Sequence, residues 1–424
     1  MHTAPRAEPT TAVAAAGLAS VRHLVAEHER WRSQTLNLIA SENIISPAVR
    51  SALDSDLEGR YADYPGRDMT ARRYRGNRYI VAIEEAAAAL ARDVFRARYV
   101  ELRPLAGHIA GVAVLMGLCR PGDVVLETGR DGGGHREAGR LIAAPLARLD
   151  VQYLPFSGAR YNVDPDATIQ LIEATKPRVV ILGSSNFLFP SPVREIAAAV
   201  HTHGGYLAYD GSHVMGFLAA NRFQDPLREG ADLVFGSTHK TFPGPQGGII
   251  FSERDDVIES VTGALVPSLV TNHHPVRMPG LAVALLEMQA FGATYMDAVR
   301  ENAQALGEML TRAGVPCVCV DGRYSESHCI LARVDAFGAR DIVAARLEEA
   351  GIITTSALLP ESLGTEGIRM GVQEMTRLGA TTSTMGQVAH LFADAVASRR
   401  PSEAIASEAA AIRGSLGSIR FVFP

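Results

Sequence analysis

The stretch 232-DLVFGSTHKTFPGPQGG-248 decides the fold, because an apolar strand pattern runs directly into a lysine and a Gly/Pro-rich turn. The strand ends at Ser237, Thr238, His239 and Lys240. In open α/β sheets, ligands bind in the crevice at the carboxyl ends of the strands. A desolvated lysine at such a place can lose its proton and attack a carbonyl group. Lys240 is therefore a candidate nucleophilic amine, although this stretch alone leaves a solvated surface lysine equally open.

A second strand pattern, 206-YLAYDGSHVMG-216, ends at Asp210, with His213 three residues further on. A buried carboxylate costs several kcal/mol unless it is paired. A protonated pyridine nitrogen would be a suitable partner, and such a ring acts as an electron sink for a carbanion at an amino-acid α-carbon. Asp210 alone reads as a turn or cap residue, but Lys240 about thirty residues later favours a pyridoxal-5′-phosphate (PLP) site.

Around these two stretches, apolar β-rich runs alternate with helical ones from about residue 80 to 255. The strand runs are nearly continuous in apolar residues, as in strands that helices cover on both faces. Turn signals every ten residues, which an all-β protein would need, are absent. We predict an α/β fold with a mostly parallel seven-stranded sheet and helices on both faces. The predicted strands begin near residues 99, 123, 151, 178, 206, 232 and 247.

The pattern changes beyond residue 279. A long helical stretch at 281–314 precedes short strand patterns near 317 and 328 and helices from 339 and 384. These features predict a smaller C-terminal α+β domain. The predicted division is an N-terminal arm and helix at 1–50, a large PLP-binding domain at 51–280 and a small domain at 281–424, with the first 17 residues forming a flexible arm.

Composition narrows the class of protein. The chain has 424 residues, 47% of them hydrophobic, and a formal net charge of −5. It has no basic surplus that would attract nucleic acid or an anionic membrane, so the expected partners are small molecules. Neither a signal peptide nor an apolar run of ~20 residues is present, which predicts a cytoplasmic protein.

The four cysteines predict neither a disulfide framework nor a metal site, because they form no CxxC pair. Two of them alternate in 315-VPCVCV-320, which indicates small apolar groups on one strand face. We expect all of them to be reduced thiols. They are Cys119, Cys317, Cys319 and Cys329.

Several motifs carry a resemblance to a known family. They are 38-LIASEN-43, 60-RYADYPG-66, 209-YDGSHVMG-216, 237-STHKT-241 and 367-GIRMG-371. Over roughly residues 35 to 395 the chain resembles the serine hydroxymethyltransferase family of fold-type I PLP enzymes, as a divergent member.

The resemblance implies roles for individual residues. Lys240 would hold PLP as a Schiff base, Asp210 would pair with the ring nitrogen, and His213 would lie between the cofactor's O3′ and the substrate carboxylate. Arg369, with Ser41, would grip that carboxylate, for which a planar guanidinium is the suitable donor. A structural ion pair for Arg369 and a satisfied core histidine for His213 are the alternatives.

Further cofactor contacts are expected around the phosphate and the ring. The family's SGS turn reads Ala106-Gly107-His108 here, where a helix N-terminus can still supply backbone donors. For His108, a core or surface histidine is as good an explanation as a phosphate ligand. The candidate cofactor-binding residues beyond those already named are Gly107, His108, Ser185, Ser237 and His239.

The resemblance also implies a homodimer, or possibly a tetramer, with shared active sites. Tyr61 and Tyr74 match a tyrosine pair that the family takes from the neighbouring subunit. We count Tyr61 among the catalytic candidates and both tyrosines among the substrate-binding ones. Glu42 is open between an acid/base group and a carboxylate at a helix start.

The chain departs from the family at the cofactor. The position of the histidine that stacks on the ring falls most simply at Gly132, and His135 aligns with a later histidine. A family arginine after the lysine loop is Gln246, and the Gly-rich loop lent by the partner subunit reads 268-SLVTNHHP-275.

The departures are largest in the folate pocket. Asp63 replaces a glutamate, Arg73 replaces a tyrosine, and Ala357 replaces an asparagine. Each donor left unpaired would cost a bound pterin about 1–3 kcal/mol. Tetrahydrofolate is therefore a doubtful cofactor.

These observations predict a PLP-dependent aldol or retro-aldol enzyme for β-hydroxy-α-amino acids or glycine, with an aldehyde as second substrate and no folate, similar to a threonine aldolase or transaldolase. One alternative is a folate-dependent hydroxymethyltransferase for serine or an α-substituted serine. Others are a PLP aminotransferase, racemase or decarboxylase, or a relative without catalysis.

Overall fold

The structure is a computed structural model that describes residues 11–141 and 148–424. Short 3-10 turns at Asp56–Gly59 and Glu361–Leu363 supplement the regular elements. The helices are α1 (Thr11–Arg32), α2 (Pro47–Leu53), α3 (Arg78–Phe95), α4 (Gly107–Leu118), α5 (Glu137–Leu141), α6 (Pro165–Thr175), α7 (Val193–Thr202), α8 (Met215–Ala219), α9 (Pro226–Glu229), α10 (Asp255–Leu265), α11 (Arg277–Arg312), α12 (Arg340–Glu349), α13 (Gln373–Arg377), α14 (Thr382–Val396) and α15 (Ser402–Ser415). The strands are β1 (Leu36–Asn37), β2 (Tyr99–Glu101), β3 (Val124–Thr128), β4 (Asp150–Leu154), β5 (Phe156–Ser157), β6 (Asn162–Val163), β7 (Val179–Leu182), β8 (Tyr206–Asp210), β9 (Leu233–Ser237), β10 (Gly248–Ser252), β11 (Cys329–Arg333), β12 (Ile352–Ile353), β13 (Thr355–Leu358) and β14 (Glu366–Gly371).

The central sheet has seven strands in the order β2-β10-β9-β8-β7-β3-β4. All seven were predicted from their apolar runs. The pairs from β9 through β4 are parallel, whereas β10 runs antiparallel to both β9 and β2. The predicted fold class, a mostly parallel α/β sheet, is confirmed.

Successive side chains of each strand serve opposite faces, which gives the sheet two hydrophobic cores. Val179, Ala208 and Phe235 belong to one core, which includes residues of α4 and α10. Val180 and Tyr209 belong to the other, which includes residues of α3, α7 and α11. Helices therefore cover both faces, and this explains why the strands read as continuous apolar runs.

Neighbouring parallel strands bring Asp210 and Lys240 to one edge of the sheet. The strands β8 and β9 pair with Asp210 opposite Phe235, so their carboxyl ends lie side by side. Asp210 is the last residue of β8, and Lys240 follows the end of β9 by three residues. This edge is where ligands of open α/β sheets bind.

A second, antiparallel sheet has the order β11-β14-β13 and carries Arg369 on its middle strand. The N-terminal segment joins this region, because β1 pairs in parallel with β12. The Gly371 N–H donates to the Leu38 carbonyl at 2.7 Å. The segment 38-LIASEN-43 is thus held against the end of β14.

Two expectations differ from the structure. The segment expected to be a flexible arm is helical from Thr11, and its first ten residues lie outside the described part of the chain. The strand pattern of 315-VPCVCV-320 gives only two isolated bridges, between Cys317 and Ala332 and between Val320 and Arg323. The chain turns immediately through Asp321 (φ 50°), so the ladder does not extend, and Cys319 is exposed while Cys317 is buried.

Across the described ranges, no helix is both long enough and apolar enough to cross a membrane.

Candidate active site

The amine of Lys240 lies among charged groups from three different elements. Burial lowers its pKa to about 8; the charge of Asp210 opposes this shift, and that of Arg369 adds to it. The backbone carbonyl of Lys240 accepts a hydrogen bond from the Asn43 side chain at 2.7 Å. A lysine with this pKa is partly deprotonated near neutral pH, which nucleophilic attack on an aldehyde requires.

Asp210 is a buried carboxylate, 8% exposed. Its Oδ1 accepts the Ser212 N–H at 2.9 Å. Glycine is needed opposite it, since a Cβ on Gly183 would come within 2.6 Å of the Asp210 Cβ. A carboxylate anchored in this way has capacity left for a cationic N–H partner.

His213 and His328 stack on each other with ring centroids 5.7 Å apart. Burial holds the pKa of His213 well below its usual range and lowers that of His328 to about 3, so both rings are neutral. His328 Nε2 donates to the Ala40 carbonyl at 3.0 Å. The buried Nδ1 of His213 has no hydrogen-bond partner within the described residues, and a bound ligand could supply one.

Arg369 points its guanidinium toward the same edge of the sheet. Its Nη1 donates to the Ser185 carbonyl at 2.9 Å, and its buried Nε has no partner among the described residues. Its charge acts on the pKa values of both Lys240 and His213. A substrate carboxylate would satisfy the free donors.

The N-terminus of α4 abuts the end of β9. A Cβ on Gly107 would come within 2.4 Å of the Ser237 Oγ, so only glycine allows this approach. The arrangement places the N-terminus of a twelve-residue helix beside a serine hydroxyl, a combination that suits a phosphate group.

The loop before α5 brings His135, rather than Gly132, toward the lysine. Burial lowers the pKa of His135 to about 4, and the charges of Asp210 and Lys240 also act on it. Gly132 instead packs near Phe156, to which a Cβ would come within 2.7 Å. Three successive glycines at 132–134 let the loop take this course, which the alignment of short motifs did not anticipate.

Glu137 is a buried neighbour of the site that the sequence analysis missed. Burial raises its pKa to about 7, with the charge of Asp210 acting in the same direction, while a hydrogen bond from His108 opposes the shift. The ring of His135 lies 3.4 Å from the other oxygen of Glu137. A glutamate at the start of a short helix reads as a first-turn carboxylate, so no local signal marked it.

The ligand atoms of His108, His135 and Glu137 lie within 4.8 Å of one another, a spacing that could hold a cation. The pairing of His108 with Glu137 already accounts for this contact as a charge-assisted hydrogen bond. The absence of a metal site therefore stays a prediction.

Ser41, Glu42 and His239 line a different cavity, of about 920 Å³. Glu42 forms an ion pair with Arg32 at 2.6 Å. It lies outside the helix that begins at Pro47, so it is not a carboxylate at a helix start, and the acid/base role stays a prediction. Burial and the charge of the adjacent Lys240 lower the pKa of His239 to about 4, so His239 borders the lysine as well as this cavity.

Tyr61 and Tyr74 are exposed and pack against each other, with ring centroids 5.3 Å apart. Their segment is fixed by Arg103, whose guanidinium donates to the carbonyls of Tyr64 and Gly66 at 2.9 and 2.7 Å. Within one chain, therefore, the two tyrosines form an exposed aromatic pair on the surface.

The residues present fit PLP. An amine of lowered pKa, an anchored carboxylate, a histidine nitrogen without a partner, and a helix N-terminus all meet at one edge of the sheet. Lys240, Asp210, His213 and Gly107 could contact the aldehyde carbon, the ring nitrogen, the ring oxygen and the phosphate of the cofactor respectively.

Comparisons with known proteins show the family of the chain. The family model for serine hydroxymethyltransferase matches residues 19–392. A serine hydroxymethyltransferase from Methanopyrus kandleri is 40% identical, covering 95% of each chain. One from Pyrococcus abyssi is 39% identical, covering 88% of this chain and 89% of its own.

A solved structure resembles the whole fold. It is an L-threonine transaldolase from Pseudomonas fluorescens in its internal aldimine state, with a TM-score of 0.90, 26% sequence identity, and coverage of 97% of this chain and 94% of its own. The protein is accordingly a fold-type I, PLP-dependent enzyme of the transferase or aldolase class, with aldol-type activity. The chain belongs to the serine hydroxymethyltransferase family.

Proposed function

We propose that this enzyme is a folate-independent aldolase or transaldolase that cleaves the Cα–Cβ bond of a β-hydroxy-α-amino acid such as threonine. The observation that carries the proposal is the convergence of Lys240, Asp210 and Arg369 at one sheet edge, where each charge acts on the pKa of the lysine. An amino group and an α-carboxylate fit this set of groups.

When bound, PLP supplies an electron sink conjugated with the α-carbon of the substrate. Asp210 would hold the proton on the ring nitrogen that keeps this sink effective. Arg369 would bind the α-carboxylate and thereby orient the bond that breaks. Lys240 would carry a proton at its Nζ to or from the α-carbon.

Three further histidines would complete the cofactor site. Neutral His213 could hydrogen-bond through its free Nδ1, and His328 would keep it in place by stacking. We assign His135 to the face of the cofactor ring, in the role that the motif alignment gave to Gly132.

The reaction conserves atoms and charge. The β-hydroxyl proton passes to a base, the electron pair of the Cα–Cβ bond stays with the α-carbon, and the β-carbon departs as an aldehyde. The α-carbon then takes a proton, which releases glycine, or it attacks a second aldehyde, which completes a transaldolase cycle.

The lack of a hydrogen-bonding side chain at Ala357 on β13 supports folate independence. Ala357 is 7% exposed and offers no hydrogen-bonding side chain where the family pattern has an asparagine. The structural resemblance to an L-threonine transaldolase points the same way.

A folate-dependent hydroxymethyltransferase is the second candidate, and the curated relatives at about 40% identity favour it by their name. Aminotransfer, racemisation and decarboxylation would use the same amino-acid site, so they too must be tested.

We also propose a homodimer with shared active sites in the cytoplasm. The exposed Tyr61–Tyr74 pair supports it, because two aromatic rings in a pinned segment form a ready contact surface. Sedimentation of the holoenzyme would test the oligomeric state. An activity assay on a mixture of the two inactive variants K240A and Y61F would test the shared active sites. Activity that reappears in the mixture supports shared sites, whereas a mixture no more active than the two separate variants contradicts them.

The decisive experiment incubates the PLP-loaded enzyme with threonine, serine or glycine, each with and without tetrahydrofolate. We expect acetaldehyde from threonine at a rate that folate does not change. Strong folate-dependent turnover of serine would establish the second candidate instead. Release of CO₂, an oxo acid or the D-amino acid without any aldehyde would move the function to another PLP reaction.

A further inference from the structure

A cationic cavity adjoins Arg369. Its volume is about 460 Å³, and it opens between the loop at 129–140, the start of α12 and the middle of β13. Five arginines line it, together with a single carboxylate, Asp341. The arginines are Arg130, Arg136, Arg140, Arg340 and Arg369.

Two of these five arginines have a function or a partner already. Arg369 is the proposed ligand of the α-carboxylate, and Arg340 pairs with Glu366 at 3.2 Å. Within residues 11–141 and 148–424, no carboxylate forms an ion pair with Arg130, Arg136 or Arg140. Three positive charges therefore face the cavity or its rim without a direct ion pair among the described residues, and the buried Glu127 carboxylate interacts with Arg136 and Arg140 only through their charge.

The loop holds these arginines at a backbone cost. Arg136 adopts a left-handed conformation (φ 61°), which is unfavourable for a residue with a Cβ. The Arg140 N–H donates to the Arg136 carbonyl at 3.0 Å, and the buried Glu127 carboxylate accepts the Ala138 and Gly139 N–H groups at 3.0 and 2.9 Å. The loop is therefore pinned by hydrogen bonds that fix where the arginines stand.

The cavity is continuous with the reaction site. His135 and Ser185 line it beside Arg369, and Ala357 forms part of the opposite wall. A molecule bound here would lie next to the α-carbon of an amino acid held by Arg369. A neutral or apolar acceptor would leave three guanidinium groups without a partner, whereas an anionic group would pair with them through charge-assisted hydrogen bonds.

We propose that this cavity binds the acceptor aldehyde and that this aldehyde carries an anionic group, a phosphate, phosphonate or carboxylate, which Arg136 and Arg140 bind. The inference rests on the proposed aldol function, and it adds the chemical class of the second substrate. A phosphate suits the site best, because several guanidinium groups can share its oxygens.

The kinetic test uses pairs of acceptors that differ only in charge, with threonine as donor. The pairs are glycolaldehyde phosphate with glycolaldehyde, and succinic semialdehyde with butanal. We expect kcat/KM to favour the anionic member of at least one pair by about tenfold or more. The pair that shows the larger ratio distinguishes a phosphate from a carboxylate ligand.

The double variant R136Q/R140Q should reduce that ratio to within about threefold of unity, because glutamine keeps a polar side chain but removes the charge. The ratio cancels any general loss that affects both aldehydes. The control R120Q removes an exposed arginine that does not line the cavity, and it should keep the wild-type ratio.

A binding measurement keeps the test independent of turnover. Calorimetric titration of the holoenzyme with 2-phosphoglycolate should give a Kd at least tenfold weaker for R136Q/R140Q than for wild type and R120Q. Equal Kd values, or equal kcat/KM for charged and neutral aldehydes while threonine still releases acetaldehyde, would overturn the inference but leave the aldol function standing.

The opposite pattern would reject the function instead. If 2-phosphoglycolate binds through these arginines but threonine releases no aldehyde, the anion site exists and the proposed reaction is wrong. Serine turnover measured with tetrahydrofolate that carries one glutamate or several gives a further outcome. If the arginines affect only this reaction, by favouring the form with several glutamates, the cavity binds the folate tail. The inference of an anionic aldehyde then fails.

Discussion

The two sides of the reaction site are built differently. The proposed cofactor side consists of residues at or just beyond strand ends, such as the buried Asp210 and the half-buried Lys240, which are fixed by the parallel register of β8 and β9. The acceptor side consists of a glycine-rich loop and the start of a helix, and its arginines are exposed or half-buried. Charge on the first side is shielded from water, whereas charge on the second is not.

This difference explains where the chain keeps the family pattern and where it departs from it. A strand end cannot shift without disturbing two cores, so the strand-end residues Asp210 and Lys240 keep the family pattern, while the departures near the cofactor lie in loops and turns. A loop can take an extra residue and new charges at little cost to stability. The chemistry is thus set by the sheet, and the choice of the second substrate by the loop.

The largest effect should come from removing the amine on the cofactor side. Lys240 is one of two lysines in the chain, and the other, Lys176, caps the end of α6. We expect K240A to lose at least about a thousandfold in threonine cleavage, because no other side chain can form the covalent link. Borohydride reduction and peptide mapping should find the cofactor on the 240 peptide of wild type and of the matched control K176A. A cofactor that stays attached in K240A contradicts the assignment.

The second largest effect should come from changing Asp210, the proposed partner of the ring nitrogen. D210N keeps the shape of the side chain but removes its charge, so the nitrogen loses the group that holds its proton. We expect kcat to fall roughly a hundredfold, which corresponds to about 2.7 kcal/mol. The visible absorption band of the holoenzyme should shift as well, and this shift separates the role in electronics from a loss of folding. The control D150N alters an exposed aspartate of the same sheet; an equal loss there would contradict the prediction.

A smaller effect is expected where the two sides meet. R369K keeps the charge but loses the planar pair of donors, so KM for threonine should rise about tenfold while kcat changes less. Steady-state kinetics with R120K as the control measures this split. A fall in kcat at unchanged KM would mean that Arg369 acts on the bond-breaking step rather than on binding of the carboxylate.

The smallest effect is a pH dependence that should appear on the cofactor side of the site but not on the acceptor side. The pKa of Lys240 is lowered to about 8, so the reactive, uncharged amine increases about tenfold from pH 6 to 7 and levels off above pH 8. The rate at which the apoenzyme takes up PLP should follow this curve. The arginines of the acceptor cavity stay charged throughout, so the preference for an anionic aldehyde should not change over the same range. A rate of uptake that is independent of pH would contradict the lowered pKa.

Local pattern alone identified most of the cofactor side. The apolar runs predicted all seven strands of the central sheet, and the residues after two of them, Asp210 and Lys240, were identified because a charged group directly after a buried strand requires a ligand or a partner. Arg369, in the middle of β14, was named only through the family resemblance of its short motif, and its role stays a prediction. By contrast, the alternation in 315-VPCVCV-320 suggested a strand that a tight turn prevents.

What the sequence by itself determined was therefore the sheet, its edge with the candidate residues and the class of cofactor, because continuous apolar runs and strand-end chemistry are properties of neighbouring residues. Only the tertiary structure decided that His135 rather than Gly132 lies toward the lysine, that His328 stacks on His213, and that Glu137 is buried beside His108. It also gathered arginines from 130–140, 340 and 369 around one cavity. Such contacts join residues far apart in the chain, and their energies depend on burial and distance, which no local pattern encodes.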